Sequence, residues 1–117
     1  MDSKAHSFGK HYLVELIGCN ADLLRMVETV RPVFLEAVRQ SNATVIAVHF
    51  HQFEPQGVTG MVFIAESHFS IHTWPESGYA AVDILTCGVM EPEKAIAWLR
   101  KTFQAQQADI RIMERGF

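Results

Sequence analysis

Six short segments of the chain have the hydrophobic and polar pattern of β-strands, and most of them alternate with a period of two. They are residues 11–17, 44–53, 58–65, 69–74, 80–86 and 109–113. Residues 58–65 form a nearly continuous apolar run, in which Gly60 predicts a bulge or a close approach of another group. The connections between neighbouring segments are mostly short, and this favours antiparallel pairing.

Two further segments have the spacing of amphipathic helices. The apolar positions of the first are Val33, Phe34, Ala37 and Val38. Because Pro32 is best tolerated near a helix start, we expect this helix to begin at Val30 or Arg31. The second is predicted to begin at Glu91-Pro92 and to run to about Gln104. Asn20 is a plausible N-cap for a short helical turn that begins at Ala21.

The order of elements predicts an α+β fold. Taken along the chain, it reads β-α-β-β-β-β-α-β, which is typical of a two-layer sandwich with a mainly antiparallel sheet and two helices on one face. The chain of 117 residues fits a single domain, residues 1–117. The second face of the sheet is left without a helix. We therefore expect the protein to dimerise through the sheet region.

Composition narrows the class of protein. The 49% hydrophobic content and the net charge of -3 describe a globular chain without the basic stripe that binds phosphates, so nucleic acid is not an expected partner. Cys19 and Cys87 form no CxxC pair and predict free thiols in a reducing compartment. Residues 1–10 lack the apolar core of a signal peptide, and no apolar run is long enough to span a bilayer. These features predict a soluble cytoplasmic protein with no membrane partner.

The segment with most chemistry is residues 66–75, ESHFSIHTWP, at the end of an apolar strand. Taken one at a time, its residues have ordinary structural explanations, such as a turn serine or a core tryptophan. A zinc site is an alternative explanation, since four histidines lie in this part of the sequence: His49, His51, His68 and His72. No carboxylate or cysteine spacing that fits accompanies them, so no metal is predicted.

The combination of motifs resembles the prokaryotic S-adenosylmethionine decarboxylase family. The strongest match is ESHFSIHTWPE at residues 66–76, followed by GYAAVD at 78–83 and TCG at 86–88. Further matches are GKH at residues 9–11 and FHQFxPxGVTG at 50–60. The resemblance extends over about residues 8–116, and the ESHFSIHTWPE and TCG elements together are highly specific.

This resemblance implies that the chain cuts itself between Glu66 and Ser67, giving fragments 1–66 (the β chain) and 67–117 (the α chain). Ser67 would attack the carbonyl of Glu66 and end as a pyruvoyl group, which is then the covalent cofactor. A strained peptide at the strand end would favour the attack. A histidine that matches His72 is the base of the elimination step, and a hydroxyl residue that matches Thr59 assists. Thr59 stands where several relatives have serine, and its more restricted rotamer is expected to affect the processing rate.

For the mature enzyme, the resemblance implies decarboxylation of S-adenosylmethionine to S-adenosylmethioninamine and CO₂, which serves spermidine biosynthesis. The pyruvoyl ketone forms a Schiff base with the substrate amine and accepts the electrons released with CO₂. The proton donor matches Cys87. Adenine is expected to stack between Phe53 and Trp74, and Glu76 is expected to bind the ribose hydroxyls. The expected assembly contains two copies of each fragment.

Two alternatives stay open at this point. The first is a pyruvoyl-dependent decarboxylase of arginine or ornithine, against which the adenine-binding set argues. The second is a non-catalytic regulatory homologue, which would remain uncleaved. Asp83 either orients a histidine or is satisfied locally, and Glu15 and His68 are given no role.

Overall fold

A computed structural model describes residues 6–117. It contains six strands and two α-helices in the predicted order. The strands are β1 (Ser7–Ile17), β2 (Val45–Gln52), β3 (Val58–Ile64), β4 (Ser67–Trp74), β5 (Tyr79–Thr86) and β6 (Gln107–Gly116). The helices are α1 (Val27–Gln40) and α2 (Pro92–Thr102). The predicted α+β class is confirmed.

The six strands form one sheet in the order β2-β3-β4-β5-β1-β6, and every neighbouring pair is antiparallel. The hairpins β2-β3, β3-β4 and β4-β5 follow the chain directly, because their short connections allow only antiparallel return. Strand β4 therefore lies inside the sheet, between β3 and β5. The strands β2 and β6 form its two edges.

The core lies between the two helices and one face of the sheet. Alternate residues of β1 point into it, and Val14 and Leu16 are fully buried there. Phe34 of α1 makes edge-to-face contacts with the rings of Phe50 and Phe69, at centroid distances of 6.2 and 6.1 Å. The helices thus cover only one face, as the apolar spacing predicted.

Helix α1 begins three residues earlier than the predicted Val30, and Pro32 lies inside it. The cause is a contact from outside the helix. The side-chain oxygen of Gln52 accepts a hydrogen bond of 2.6 Å from the backbone N–H of Val27 and so satisfies one of the free donors of the first turn. Burial of Val30 against the core holds the same turn in place.

Other boundaries also differ from the predictions. Helix α2 ends at Thr102 instead of Gln104, because Gln104 has a left-handed backbone with φ +58°. Strands β1, β4 and β6 are longer than predicted, since pairing with neighbours holds residues that lack a clear alternation. The short helical turn at Ala21–Leu23 is confirmed, with the Asn20 side chain accepting a hydrogen bond from the Asp22 amide.

Gly60 is a close-approach point. A β-carbon there would overlap the ring of Phe50 on the neighbouring strand. The only register shift in the β2–β3 ladder lies elsewhere, between Val45 and Ala47. A side chain at residue 60 would therefore displace a core ring.

No helix among residues 6–117 lies over the second face of the sheet, and we call it the open face. By strand alternation it carries Thr59 of β3, His68, His72 and Trp74 of β4, and Asp83 of β5. Exposed apolar side chains such as Phe63, half exposed, lie among them. Dimerisation through this face stays a prediction.

Candidate active site

Ser67 is the first residue of β4 and follows a two-residue turn of Ala65 and Glu66. It pairs with Ile64, the last residue of β3, so a tight hairpin holds the Glu66–Ser67 peptide. The φ of Ser67 is +148°, a region that suits glycine. Such a backbone costs on the order of 1–3 kcal/mol in a residue with a side chain. The peptide predicted to break is therefore strained.

The carbonyl oxygen of Glu66 accepts two hydrogen bonds from one residue. The backbone N–H of Cys87 donates across 3.2 Å, and the Cys87 thiol donates across 3.1 Å. Donors placed on a carbonyl oxygen stabilise the negative charge that develops when a nucleophile attacks the carbon. The Glu66 side chain is held as well, because its Oε1 accepts from the Thr44 amide at 3.1 Å.

Cys87 follows β5 and is exposed. Strand β1 closely approaches Thr86, the residue before Cys87. At Gly9 of β1, which has φ +156°, a β-carbon would overlap the carbonyl oxygen of Thr86. A cleft of about 520 Å³ opens beside Cys87. Its lining includes Phe8, Lys10, Tyr12 and Glu93.

A second group of predicted residues surrounds another cleft, of about 320 Å³, at the far end of β4. It is lined by Phe53, Thr59, His72, Trp74 and Glu76, among others. Thr59 Oγ1 lies 3.0 Å from His72 Nδ1, within hydrogen-bond distance, because the two residues are direct partners across β3 and β4. The predicted processing histidine and the predicted assisting hydroxyl are thus brought together.

The aromatic platform of this cleft is supported from one side. Trp74 stacks on Tyr79 with a centroid distance of 5.2 Å and an interplanar angle of 21°. The Tyr79 hydroxyl donates a hydrogen bond to Glu15, and that bond, together with burial, raises the pKa of Tyr79 to about 12. Glu15, which received no role from the sequence, thus fixes the ring beneath Trp74. Both Trp74 and Phe53 remain nearly half exposed and available to a ligand.

The two groups lie apart within one chain. Ser67 and His72 are five residues apart on one extended strand, and at about 3.3 Å per residue this is a separation of roughly 16 Å. A general base must come within hydrogen-bond reach of the proton it takes, about 3 Å. A single chain therefore presents Glu66, Ser67 and Cys87 at one end of β4, and Thr59 and His72 at the other.

The sequence left open whether Asp83 orients a histidine or is satisfied locally, and the structure shows the first. Its Oδ1 lies 2.8 Å from Nε2 of His68, so it orients a histidine, and that histidine directly follows Ser67. Nε2 of His11 lies 3.5 Å from the same oxygen. The signal available in the sequence was only that all three residues share one face of the sheet.

Comparison with known proteins shows the family of the chain. The family model described as S-adenosylmethionine decarboxylase matches residues 10–116. An S-adenosylmethionine decarboxylase proenzyme of Thermodesulfovibrio yellowstonii is 45% identical over 112 residues, which are 95% of this chain and 83% of that protein. The proenzyme of Pyrococcus horikoshii is 45% identical over 94% of this chain and 80% of its own.

A solved structure agrees as well. The crystal structure of the adenosylmethionine decarboxylase from Aquifex aeolicus superposes with a TM-score of 0.89 at 40% identity, covering 97% of this chain and 94% of that one. The fold and the sequence match together define an α+β enzyme of the decarboxylase class. Within that class, the chain belongs to the S-adenosylmethionine decarboxylase family. In residues 6–117, neither helix is long and apolar enough to cross a membrane.

Proposed function

We propose that this protein is a pyruvoyl-dependent decarboxylase that converts S-adenosylmethionine to S-adenosylmethioninamine and CO₂, supplying aminopropyl groups for spermidine. The proposal depends most on the strained Ser67 next to a Glu66 carbonyl that carries two donors from Cys87. Family membership supports the same activity. We also propose a cytoplasmic location, whose reducing environment suits the two free cysteines, Cys19 and Cys87.

The first step is an N→O acyl shift at the Glu66–Ser67 bond. Ser67 Oγ attacks the Glu66 carbonyl carbon, the C–N bond breaks, and the Ser67 amine leaves with the hydroxyl proton, giving an ester. The Cys87 N–H and thiol stabilise the oxyanion while it exists. Relief of the strained φ at Ser67 favours the shift.

The second step is a β-elimination. A base removes the α-proton of Ser67, the bond between Cβ and Oγ breaks, and Glu66 leaves as a carboxylate at the end of fragment 1–66. Water then hydrolyses the dehydroalanine that remains. This step releases ammonia and leaves a pyruvoyl group on fragment 67–117. A neutral imidazole suits the role of the base at physiological pH, and we assign it to His72.

His72 must then come from a second copy of the chain. A two-fold axis that lies over the open face, parallel to the sheet and perpendicular to β4 near its middle, would exchange the two ends of that strand between the protomers. In such a dimer, the Thr59–His72 pair of one protomer would lie over Ser67 of its partner. The same packing would cover Phe63 and the other exposed apolar residues of this face. We propose an assembly of two α and two β fragments on this basis.

The residues around the cleavage point fit a pyruvoyl group, because Ser67 starts a strand and the Cys87 thiol contacts the carbonyl of the preceding residue, Glu66. Such a group supplies an electron sink for the electrons released with CO₂. We assign to Cys87 the return of a proton to the substrate carbon. Phe53 and Trp74 offer exposed rings for adenine, and Glu76 lies on the same cleft for the ribose hydroxyls.

Release of CO₂ from carboxyl-labelled substrates tests the assignment. S-adenosylmethionine, arginine and ornithine should be compared with the purified protein, with Ser67→Ala as the matched inactive chain. We expect release from S-adenosylmethionine alone. Release from arginine or ornithine alone would refute the assignment, and release from none would support a regulatory homologue.

A further inference from the structure

Polar side chains form a continuous line across four neighbouring strands of the open face. Arg115 of β6 lies 3.0 Å from Nδ1 of His11 on β1. Nε2 of His11 lies 3.5 Å from Oδ1 of Asp83 on β5. The same Asp83 oxygen is 2.8 Å from Nε2 of His68 on β4. The line ends at the residue that follows Ser67.

The chemistry of Arg115 decides how the hydrogens are arranged. A guanidinium only donates, so Nδ1 of His11 accepts, and Nε2 of a neutral His11 carries the hydrogen. That nitrogen is shielded from solvent and makes no hydrogen bond of its own among the described residues. It lies 3.5 Å from the Asp83 carboxylate, which accepts a hydrogen bond from His68. Asp83 thus lies between the two imidazoles and is hydrogen-bonded to that of His68.

Cleavage removes the covalent link between the turn at residues 65–66 and the start of β4. In the uncut chain, the turn at residues 65–66 fixes the start of β4, since the Ala65 amide donates to the Thr44 carbonyl across 2.9 Å. The Glu66 side chain ties the same turn to the Thr44 amide. After the cut, Ser67 is a chain terminus, and strand termini fray when nothing ties them down.

We propose that Asp83 is a positioning residue which clamps His68, so that the new terminus carrying the cofactor stays beside Cys87. This inference rests on the proposed function, because it concerns the state after self-cleavage. His68 is the first side chain beyond the cut that makes a hydrogen bond across the sheet, and its partner lies on β5, the strand that also leads to Cys87. The clamp therefore ties the terminus to the element that positions the proton donor.

A bound zinc ion is the alternative for these side chains. The donor atoms of His11, His68 and Asp83 all lie within 4.8 Å of one another. Arg115 opposes that use, because it leaves the Nε2 of His11 with a hydrogen instead of the lone pair that a metal needs. The measured metal content of the protein distinguishes the two.

The test compares Asp83→Asn in two backgrounds, the self-cleaving chain and the uncleavable Ser67→Ala chain. Hydrogen exchange of the amides at residues 68–71 is followed by mass spectrometry, with cleavage and dimer formation checked for each sample. Asn keeps an oxygen that can accept from His68 but removes its charge, and the weaker hydrogen bond corresponds to about tenfold faster local opening. We expect that acceleration in the cleaved chain and less than about twofold in the Ser67→Ala chain, where the turn still holds the strand.

Asp109→Asn is the matched control, because it makes the same change on an exposed residue of edge strand β6 and should leave this exchange unaltered. If Asp83→Asn does not fold, His68→Gln and His68→Ala replace it. Gln keeps a donor for Asp83, so it should protect residues 69–71 better than Ala does.

Equal acceleration in both backgrounds would overturn the clamp, and so would unchanged exchange in the cleaved chain. Stoichiometric zinc that disappears in Asp83→Asn would also overturn it. If the unmodified protein is never cleaved, the proposed function itself fails, which is a different result from cleavage with an unaltered Asp83→Asn variant.

Discussion

The thiol of Cys87 lies 3.1 Å from the carbonyl oxygen of Glu66, and the backbone N–H of Cys87 lies 3.2 Å from the same oxygen. The residue expected to deliver a proton in the last chemical step thus already contacts the peptide that breaks in the first. We therefore propose that Cys87 has two tasks at different times, and substitutions can separate them.

Replacement of Cys87 by Ser and by Ala should affect cleavage differently. Alanine removes the side-chain donor to the Glu66 carbonyl and leaves only the N–H, so self-cleavage should slow by about tenfold or more. Serine keeps a donor and should cleave nearly as fast as the unmodified chain. A hydroxyl is a much weaker acid than a thiol, so both variants should lose most of their decarboxylase activity. Time courses of cleavage on denaturing gels, followed by CO₂ assays, measure the two effects. Equal cleavage rates for the two variants would contradict the role of the thiol in the first step.

Mixed dimers test whether His72 acts on the partner chain. Ser67→Ala and His72→Ala should each remain uncut when expressed alone. When the two are expressed together, a mixed dimer has one site that combines Ser67 of the His72→Ala chain with His72 of the Ser67→Ala chain. The His72→Ala chain should therefore be cleaved in mixed dimers, as read by intact mass with one chain tagged.

The separation of roughly 16 Å between Ser67 and His72 along β4 is the basis of that prediction. Mixed dimers that form but stay uncut in both chains would contradict it. Cleavage of the His72→Ala chain expressed alone would remove His72 from the processing chemistry.

Phe53 should contribute to substrate affinity and not to self-cleavage. Its exposed ring lies on the cleft with Trp74, away from the Glu66–Ser67 bond. Base–aromatic stacking contributes about 1–3 kcal/mol, so Phe53→Ala should raise KM for S-adenosylmethionine by about tenfold or more. Cleavage should remain complete, and kcat should change much less than KM. A fall in kcat with KM unaltered would argue against adenine stacking on this residue.

Alkaline unfolding tests the support beneath Trp74. The hydrogen bond to Glu15 and burial raise the pKa of Tyr79 from 10.0 to about 12. A raised pKa means that the neutral phenol is favoured in the folded state, so this contribution is complete below pH 10 and is lost between pH 10 and about 12. Because the pair is only partly buried, we expect a contribution of about 1 kcal/mol.

Urea unfolding of Tyr79→Phe and the unmodified protein at pH 8 and at pH 11 measures that contribution. The unmodified protein should be the more stable at pH 8, and the difference should shrink at pH 11. A stability difference that is constant from pH 8 to pH 11 would contradict the assignment to Tyr79 ionisation.

The sequence predicted most of the fold because period-two alternation and helical spacing are local properties. Alternation placed His72 and Trp74 on one face of β4, and the register confirms that face. The predicted start of α1 was wrong because the side chain that caps this helix belongs to Gln52, which is distant in sequence. No local pattern records such a contact.

The candidate site was predictable only in part, for a similar reason. Motif resemblance gave Ser67, His72 and Cys87 as one set, but it carried no information on which of them one chain brings together. The contact from Cys87 to Glu66 and the pair of His68 with Asp83 depend on the register of β4 against β5. The separation of Ser67 from His72 becomes visible only when both are placed on one extended strand.

The central claim is the break between Glu66 and Ser67, and intact mass under denaturing conditions tests it most directly. We predict two fragments, residues 1–66 and 67–117, in equal amounts. The second should be lighter, by one molecule of ammonia, than a fragment with an unmodified Ser67 at its N-terminus, and that terminus should resist amine-reactive reagents. A single intact chain with an ordinary Ser67 in freshly purified, active protein would contradict the account.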